Sequence, residues 1–390
     1  MGFIIDVSFI NSEEKSRESV AIYTFRVIEG FLRNGKTDFS LLVSDSFREY
    51  FVKKFPKIHI ENYPSDSRLI SKFPYIKGLY KMIKWKLIMD KLPYDIVYIP
   101  FSWSGNALNC RAKKVITIHD LRPMRTVNRA FTQSVWFKML NIGKLYKRCF
   151  RHSYTSHVKN ASQIIAISDY VKRDICSEWY DLHLENKVHV IYNGVVLASS
   201  QIQPTDVRLS DHYILYVNTL SAYKNIITLI KSFHAISKKI DHKLVIVGKD
   251  TTYWRQEICP LIKQYNLSKR IVRLQYCSDE QLKWLYSHAD LFVTPSTREG
   301  FGYTPIEAAI CECPVISTRC ESLPDVTCEL LNYYDPPESS ERLSSLMFSI
   351  LNQTPDKKRL SDISSCFRAK YNNESQSLKI YNLIAYKELI

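Results

Sequence analysis

The sequence predicts an α/β protein of two domains, each built on a parallel β-sheet with helices packed against it, facing each other across a cleft. Short runs rich in Val, Ile and Leu alternate with helical segments along the chain, a pattern typical of buried parallel strands. The length of 390 residues suits two or three domains. A polar stretch without a clear period, Ala198–Ser210, separates two such sets of elements and is the predicted linker.

The first domain is expected over residues 1–200. It opens with a strand at Phe3–Val7 and a helix near Arg17–Arg33. This helix ends at Asn34-Gly35, because glycine is favoured just beyond a helix C-terminus. The remaining strands predicted for this domain are Leu41–Ser44, Asp95–Ile99, Lys114–Ile118, Gln163–Ile167 and Val188–Tyr192.

The second domain is expected over residues 201–374, and a helix at about 375–390 is expected to pack back on the first domain. A strand at Tyr213–Val217 is followed by a helix over Asn225–Ile240, whose apolar residues recur on one face. The further strands predicted for this domain are Lys243–Val247, Ile271–Gln275, Asp290–Thr294 and Pro314–Ser317.

The composition is that of a globular protein rather than a membrane-spanning or secreted one. Apolar residues make up 45% and charged residues 24% of the chain. No uncharged apolar run approaches the roughly 18 residues that span a bilayer, and the N-terminus lacks the features of a signal peptide. A cytoplasmic location is therefore expected, with the ten cysteines as reduced thiols. Cys311, Cys313, Cys320 and Cys328 match no common zinc-finger spacing, which favours buried thiols over a zinc site.

Positive charge is concentrated in the first half of the chain. The formal net charge is +15, and residues 51–150 alone contain 20 Lys and Arg against 5 Asp and Glu. Within residues 51–150, the segment Ile76–Lys91 is predicted to be a helix with a basic face and a largely separate apolar face. The lysines are Lys77, Lys81, Lys84 and Lys91, and the apolar residues are Leu79, Tyr80, Ile83 and Leu87. The basic face, with Trp85 nearby, suits an anionic membrane surface; the alternative is the solvated side of an ordinary helix.

The segment 290–317, DLFVTPSTREGFGYTPIEAAICECPVIS, carries the most informative pattern. A strand leads into a loop with Glu299 and Gly300-Phe301-Gly302, and a helix is predicted from about Thr304-Pro305 with Glu307 in its first turn. Glycines let backbone N–H groups approach a ligand, and a helix N-terminus favours an anion. Glu307 can accept hydrogen bonds from a ribose diol, and Glu299 from a sugar hydroxyl. A plain turn with two solvated carboxylates is the alternative explanation.

The spacing Glu299-x7-Glu307 within this strand, turn and helix resembles the signature of nucleotide-sugar-dependent glycosyltransferases of family 4, which have the GT-B fold. The resemblance extends over roughly residues 95–340 in the order that the family shows. The other matching segments are YVNTLSAYKN at 216–225, RIVRLQYCSDEQLKWLYSHAD at 270–290, CESLPDVTCELLNYYDP at 320–336, Asn193-Gly194-Val195, Ser168 and His119-Asp120.

The resemblance implies a role for each matching residue. Lys224 matches the lysine that binds the donor diphosphate, Glu299 the residue that contacts the transferred sugar, and Glu307 the one that holds the nucleotide ribose. His119 matches a histidine of the N-terminal domain that reaches the sugar. His119, Lys224 and Glu299 are thus the expected catalytic residues, and replacing Lys224 is expected to leave folding nearly unchanged. The backbone amides expected to cradle sugar and phosphate belong to Gly300, Phe301, Gly302, Tyr303 and Thr304.

Three positions depart from the family pattern. Thr219 stands near the place of an arginine that usually precedes the lysine, so diphosphate binding is expected to use Lys224, the hydroxyls of Thr219 and Ser221, and helix amides. The loop at 11–20 contains no glycine, although many members have a glycine-rich loop there. Glu312 replaces a common glycine.

These observations predict a hexosyltransferase-type glycosyltransferase of bacterial surface-polysaccharide, lipopolysaccharide or capsule assembly. The donor is expected to be a UDP- or GDP-linked sugar and the acceptor a growing, lipid-linked glycan, with retention of anomeric configuration implied by the family. No cofactor or metal ion is expected, because Lys224 and helix N-termini meet the diphosphate. The enzyme is expected to be cytoplasmic and peripheral to the inner membrane face.

Two alternatives stay open at this point. A nucleotide-sugar epimerase of GT-B fold has the same kind of cleft but transfers nothing to an acceptor. A nucleic-acid-binding protein would explain the basic first half, but the sequence has no helix-turn-helix, zinc finger or RNP-type motif, so no nucleic-acid partner is expected.

Overall fold

The computed structural model describes residues 2–65, 74–102, 106–121, 142–205, 209 and 211–385. The chain forms two compact units, one of Met1–Gly194 with Asn373–Ile390 and the other of Val195–Asn372. The boundary lies before Val195, earlier than predicted. Part of the predicted linker packs on the second unit, since Lys283 Nζ donates hydrogen bonds to the carbonyls of Ala198 and Ser199 at 2.7 and 3.1 Å.

The first unit contains a seven-stranded sheet in the order β3-β2-β1-β4-β5-β6-β7, with every pairing parallel. The strands are β1 Phe3–Asp6, β2 Phe39–Ser44, β3 His59–Tyr63, β4 Ile96–Ile99, β5 Lys113–Ile118, β6 Ala161–Ala166 and β7 Val188–Val190. Strand β3 was not predicted, because it lies at the sheet edge and is half-exposed, so no apolar run marks it.

Helices cover this sheet and include one from the far end of the chain. They are α1 Glu13–Ser16, α2 Ser19–Arg33, α3 Arg48–Lys54, α4 Pro74–Lys91, α5 Ile142–Asn160, α6 Asp169–Glu178 and α14 Asn373–Ala385. Helix α14 packs on α2 where Gly30 meets Ser377, and a Cβ atom at Gly30 would overlap the serine side chain. Glycine at this position therefore allows the C-terminal helix to approach.

The second unit contains a six-stranded parallel sheet in the order β10-β9-β8-β11-β12-β13. Its strands are β8 Tyr213–Val217, β9 Lys243–Val247, β10 Ile271–Leu274, β11 Leu291–Thr294, β12 Val315–Thr318 and β13 Asn332–Tyr334. Its α-helices are α7 Ile226–Ile236, α8 Cys259–Gln264, α9 Asp279–His288, α10 Tyr303–Ile310, α11 Leu323–Val326, α12 Ser340–Leu351 and α13 Lys357–Lys370.

These two parallel sheets confirm the predicted fold class. In the second sheet the strand order reverses between β8 and β11. Such a switch point places two loops side by side at the carboxyl ends of the strands, where open α/β sheets bind ligands. The loop after β8 contains Lys224 and the loop after β11 contains Glu299.

Candidate functional site

The centre of the candidate site is a buried ion pair between these two loops. Lys224 Nζ lies 2.5 Å from Glu299 Oε2, and the side chains are only 7% and 15% exposed. The structure thus brings together two of the three residues predicted to be catalytic. A buried pair of this kind is costly to desolvate, so its partners depend on each other for stability.

Lys224 is positioned by a short turn and by the residue that follows it. A 3₁₀ turn, Ala222–Lys224, ends at Asn225, which has a left-handed conformation with φ 53° and precedes helix α7. Asn225 Nδ2 donates to the carbonyl of Pro337 at 2.8 Å, which anchors the turn. The Tyr223 ring centroid lies 5.3 Å from Lys224 Nζ, a favourable position for a cation beside an aromatic ring.

Glu299 is held through its backbone by residues that follow β12. Its N–H donates to Glu321 Oε2 at 2.7 Å, and its carbonyl accepts a hydrogen bond from Ser322 Oγ at 2.7 Å. Thr297 also ties the loop to the lysine turn, because its N–H donates to the Tyr223 carbonyl at 2.9 Å. No role was predicted for Glu321 or Ser322, although both lie in the matching segment CESLPDV.

Gly302 allows helix α10 to begin directly after this loop. It has φ 88°, a left-handed conformation that glycine adopts without strain, and a Cβ atom there would lie 2.7 Å from Leu323 Cδ2. The first N–H groups of a helix lack intrahelical partners, and no side chain caps this one. The start of α10, at Tyr303 and Thr304, is thus suited to an anion. Phe301 is buried, with its ring 5.0 Å from that of Tyr303.

Glu307 lies in the second turn of α10, not in the first as predicted, because the helix begins at Tyr303. Tyr286 Oη donates a hydrogen bond to Glu307 Oε2 at 3.2 Å. Burial, and then the nearby Glu307 carboxylate, raise the pKa of Tyr286 well above its usual value, so the phenol stays protonated and donates. Tyr286 is a site residue that was not predicted, since a tyrosine on an amphipathic helix carries no distinguishing signal in the sequence.

The hydroxyls predicted to replace the family arginine lie just before the lysine turn. Thr219 is exposed. Ser221 Oγ is buried without a hydrogen-bond partner in the described part of the chain. Buried hydroxyls are usually paired, so this one is available to a ligand.

His119 lies in the first unit, directly after β5. Its Nε2 is 2.9 Å from the Pro100 carbonyl, which requires a proton on that nitrogen. The Tyr23 ring packs edge-to-face against the imidazole, with 4.8 Å between the ring centroids. The Tyr23 hydroxyl lies 2.9 Å from the Tyr98 hydroxyl. Buried aromatic groups therefore fix the orientation of the imidazole.

Two family models match the chain almost end to end. "Glycosyltransferase Family 4" matches residues 20–199, and "Glycosyl transferases group 1" matches residues 199–364. Together they confirm the resemblance that the motifs indicated.

The names of similar proteins place these relatives in surface-polysaccharide assembly. The O-antigen chain mannosyltransferase RfbU of Salmonella typhimurium is 30% identical over 243 residues, 62% of each chain. The capsular polysaccharide biosynthesis glycosyltransferase CapM of Staphylococcus aureus is 33% identical over 172 residues, 41% of this chain and 44% of CapM. The matches therefore span 62% of RfbU and 44% of CapM. Among solved structures, Anabaena HepE with UDP and glucose has a TM-score of 0.69 at 15% identity, covering 99% of this chain and 100% of HepE.

Proposed function

The chain belongs to the group 1 glycosyl transferases of family 4, and we propose that it transfers a hexosyl group from a nucleotide-sugar donor to a growing glycan of a bacterial surface polysaccharide. The observation that carries this proposal is the buried pair of Lys224 and Glu299 beside the uncapped start of helix α10. The names of RfbU and CapM support a glycan acceptor.

The second unit supplies groups for a leaving diphosphate. When the glycosidic bond breaks, negative charge grows on the diphosphate, and groups that meet this charge lower the barrier. Lys224 supplies a fixed positive charge, the first amides of α10 supply aligned N–H donors, and Ser221 Oγ supplies an unpaired hydroxyl. Catalysis in this scheme consists of positioning and charge stabilisation without a metal ion.

The two glutamates have separate roles in this proposal. Glu299 accepts hydrogen bonds from the sugar that is transferred, and its bond to Lys224 links sugar binding to diphosphate binding. Glu307, oriented by Tyr286, accepts hydrogen bonds from the ribose. The HepE complex with UDP and glucose supports a UDP-linked donor, and a GDP-linked sugar is the alternative donor.

The first unit offers a cleft for the acceptor at the carboxyl ends of β1, β2 and β3. Its lining includes hydroxyl, amide and ammonium groups, which suit a glycan. These groups belong to Ser8, Asn11, Lys15, Ser44, Ser46 and Lys81. The loop without glycine forms the short helix α1, capped by Ser12, and so shapes one side of this cleft. His119 is the proposed contact to the sugar from this unit, and retention of anomeric configuration is proposed from the family.

Transfer is tested by incubating the purified protein with radiolabelled UDP- and GDP-sugars and a lipid extract from a polysaccharide-producing bacterium. Label that moves into the lipid fraction supports the proposal, and NMR of the product reports its anomeric configuration. A free, epimerised sugar nucleotide with no lipid-bound label would contradict it and indicate an epimerase.

We further propose that helix α4 docks on an anionic membrane, which would deliver a lipid-linked acceptor. Among the described helices, none is long and apolar enough to cross a bilayer. Helix α4 nevertheless exposes an apolar stripe at four-residue spacing: Leu79 is 58%, Ile83 45% and Leu87 54% exposed. Lys91 continues this stripe, and Lys81 and Lys84 flank it, an arrangement typical of interfacial helices.

The structure changes the predicted roles of several residues in this helix. Trp85 was expected near the membrane, but it is fully buried and donates through Nε1 to Asp6 Oδ2 at 2.9 Å. Lys84 Nζ donates to the Pro64 carbonyl at 2.5 Å. The side chain of Lys77 lies outside the described residues. The exposed apolar stripe, rather than Trp85, is thus the part suited to insertion.

Membrane docking is tested by co-sedimentation with anionic and zwitterionic liposomes. Leu79→Ser with Leu87→Ser should release the protein from anionic liposomes, as high salt should in the wild type, and Lys91→Glu should weaken that binding. Val52→Ser is the matched control, since Val52 is an exposed apolar residue on another helix of this unit. A wild type that ignores anionic liposomes at low salt would contradict docking and leave the transfer proposal intact.

A further inference from the structure

Three side chains of metal-ligand type meet at the amino-terminal edge of the second sheet, at the opposite strand ends from Lys224 and Glu299. His212, His242 and Asp290 each directly precede a strand, β8, β9 and β11 respectively. These three strands lie side by side. The N–H of Lys243 donates to the His212 carbonyl, and the N–H of Asp290 to the Tyr213 carbonyl, both at 3.1 Å. The sheet itself therefore places the three residues together.

Two of the three separations between ligand atoms are already close to those of a tetrahedral site. Asp290 Oδ2 is 3.3 Å from His212 Nδ1 and 3.5 Å from His242 Nε2. Bonds of about 2.0 Å at tetrahedral angles place neighbouring ligand atoms about 3.3 Å apart. One ligand atom of each residue lies within 4.8 Å of the other two. His212 is 64% exposed at its side chain and can close the remaining gap.

We propose that His212, His242 and Asp290 bind one divalent transition-metal ion of the zinc class, with water at the fourth position. Two imidazoles and a carboxylate are a donor set that Zn²⁺ accepts, and imidazole also suits Co²⁺, Ni²⁺ and Cu²⁺. Mg²⁺ and Ca²⁺ prefer oxygen ligands alone and are not expected to bind here.

The surroundings orient the ligands and moderate the affinity. The N–H of Tyr213 donates to Asp290 Oδ2 at 3.0 Å, which holds the carboxylate in place. His242 Nδ1 is buried without a hydrogen-bond partner in the described part of the chain. Arg270 places a positive charge near His242, since its Nη2 donates a hydrogen bond to the His242 carbonyl at 2.7 Å. An unpaired N–H and a nearby cation both weaken binding, so we expect a micromolar rather than a nanomolar Kd.

The ion is expected to stabilise the second unit rather than to take part in transfer. Strand β8 has 5 residues, so at about 3.3 Å each its two ends are roughly 15 Å apart. An ion that binds only the folded state raises stability with the logarithm of one plus the ratio of its free concentration to its Kd. Metal binding at this site does not depend on the proposed function.

The test uses tag-free protein that has been dialysed against EDTA and freed of the chelator. Calorimetric titration with Zn²⁺ should give one ion per chain, and Co²⁺ should give the visible absorption of a tetrahedral nitrogen and oxygen site. His212→Gln, His242→Gln and Asp290→Asn should each weaken Zn²⁺ binding at least tenfold. His59→Gln is the matched control, because His59 is an exposed histidine of the first unit whose Nε2 lies 3.2 Å from Glu61 Oε1.

His212 allows an effect on folding to be distinguished from an effect on metal binding, because its side chain is exposed. Metal-free His212→Gln should melt at the wild-type temperature, while the rise in melting temperature that Zn²⁺ causes in the wild type should be lost. Failure of the wild type to bind Zn²⁺, undiminished binding by His212→Gln, or equally tight binding of Mg²⁺ would overturn the proposal.

Discussion

The buried pair of Lys224 and Glu299 predicts that one substitution damages both activity and stability. From the sequence, replacing Lys224 was expected to leave folding nearly unchanged. The structure reverses that expectation, because the lysine side chain is 7% exposed and Glu299, at 15%, would be left as a buried charge without its partner. Removing one member of a buried pair costs about 3–5 kcal/mol. Glu299 keeps some solvent contact, so we expect about 3 kcal/mol for Lys224→Met.

A double-mutant cycle measures this coupling directly. Urea unfolding followed by circular dichroism should show the transition of the second unit shifted by about 1 M for Lys224→Met, at a slope of about 3 kcal/mol per M. The double variant Lys224→Met with Glu299→Gln carries no unpaired charge and should recover most of that loss. Lys231→Met, an exposed lysine of helix α7, is the matched control and should not shift the transition.

Activity separates the roles of the same residues. Lys224→Met should reduce sugar transfer by roughly 10²–10³-fold, the cost of losing one group that stabilises transition-state charge. The double variant should remain equally inactive although its stability is restored. A Lys224→Met variant as stable as the wild type, or a double variant no more stable than the single one, would refute a stabilising role for the buried pair. Wild-type turnover in Lys224→Met would remove the lysine from the site.

The remaining predictions concern the glutamates, metal dependence and pH. Glu307→Gln should mainly raise the KM for the donor, whereas Glu299→Gln should lower kcat; the reverse pattern in steady-state kinetics would exchange their roles. Transfer should survive EDTA, and complete loss restored by Mg²⁺ or Mn²⁺ would contradict the proposed charge stabilisation by lysine and helix amides. Burial lowers the pKa of Lys114 from 10.5 to about 8. Between pH 8 and pH 10.5 the unfolded chain therefore keeps a proton that the folded chain has lost, and the free energy of unfolding rises with pH. Relative to Lys114→Met, this rise should reach about 3 kcal/mol, measured by urea unfolding at several pH values.

The central architecture could be predicted from the sequence because its signals are local. Buried strands such as Tyr213–Val217 and Lys243–Val247 are continuous apolar runs, and their predicted bounds match the observed ones. The turn around Gly302 was also visible, since left-handed backbone and close packing require glycine. Edge strands were missed because their residues need not be apolar; Asn332–Tyr334 is only three residues long and half-exposed at two of them.

Periodicity in the sequence predicted two parallel-sheet domains, and the motif resemblance predicted the family and the segments that hold Lys224, Glu299 and Glu307. Both signals are local, because they come from residues close together in the chain. Only the tertiary structure paired Lys224 with Glu299, buried Trp85 against Asp6 and assembled the three metal-ligand residues. His212, His242 and Asp290 are far apart in sequence, and no local pattern distinguishes them. They meet because parallel strands in register bring the residues before each strand to one edge, a consequence of hydrogen bonding across the sheet that chain order does not reveal.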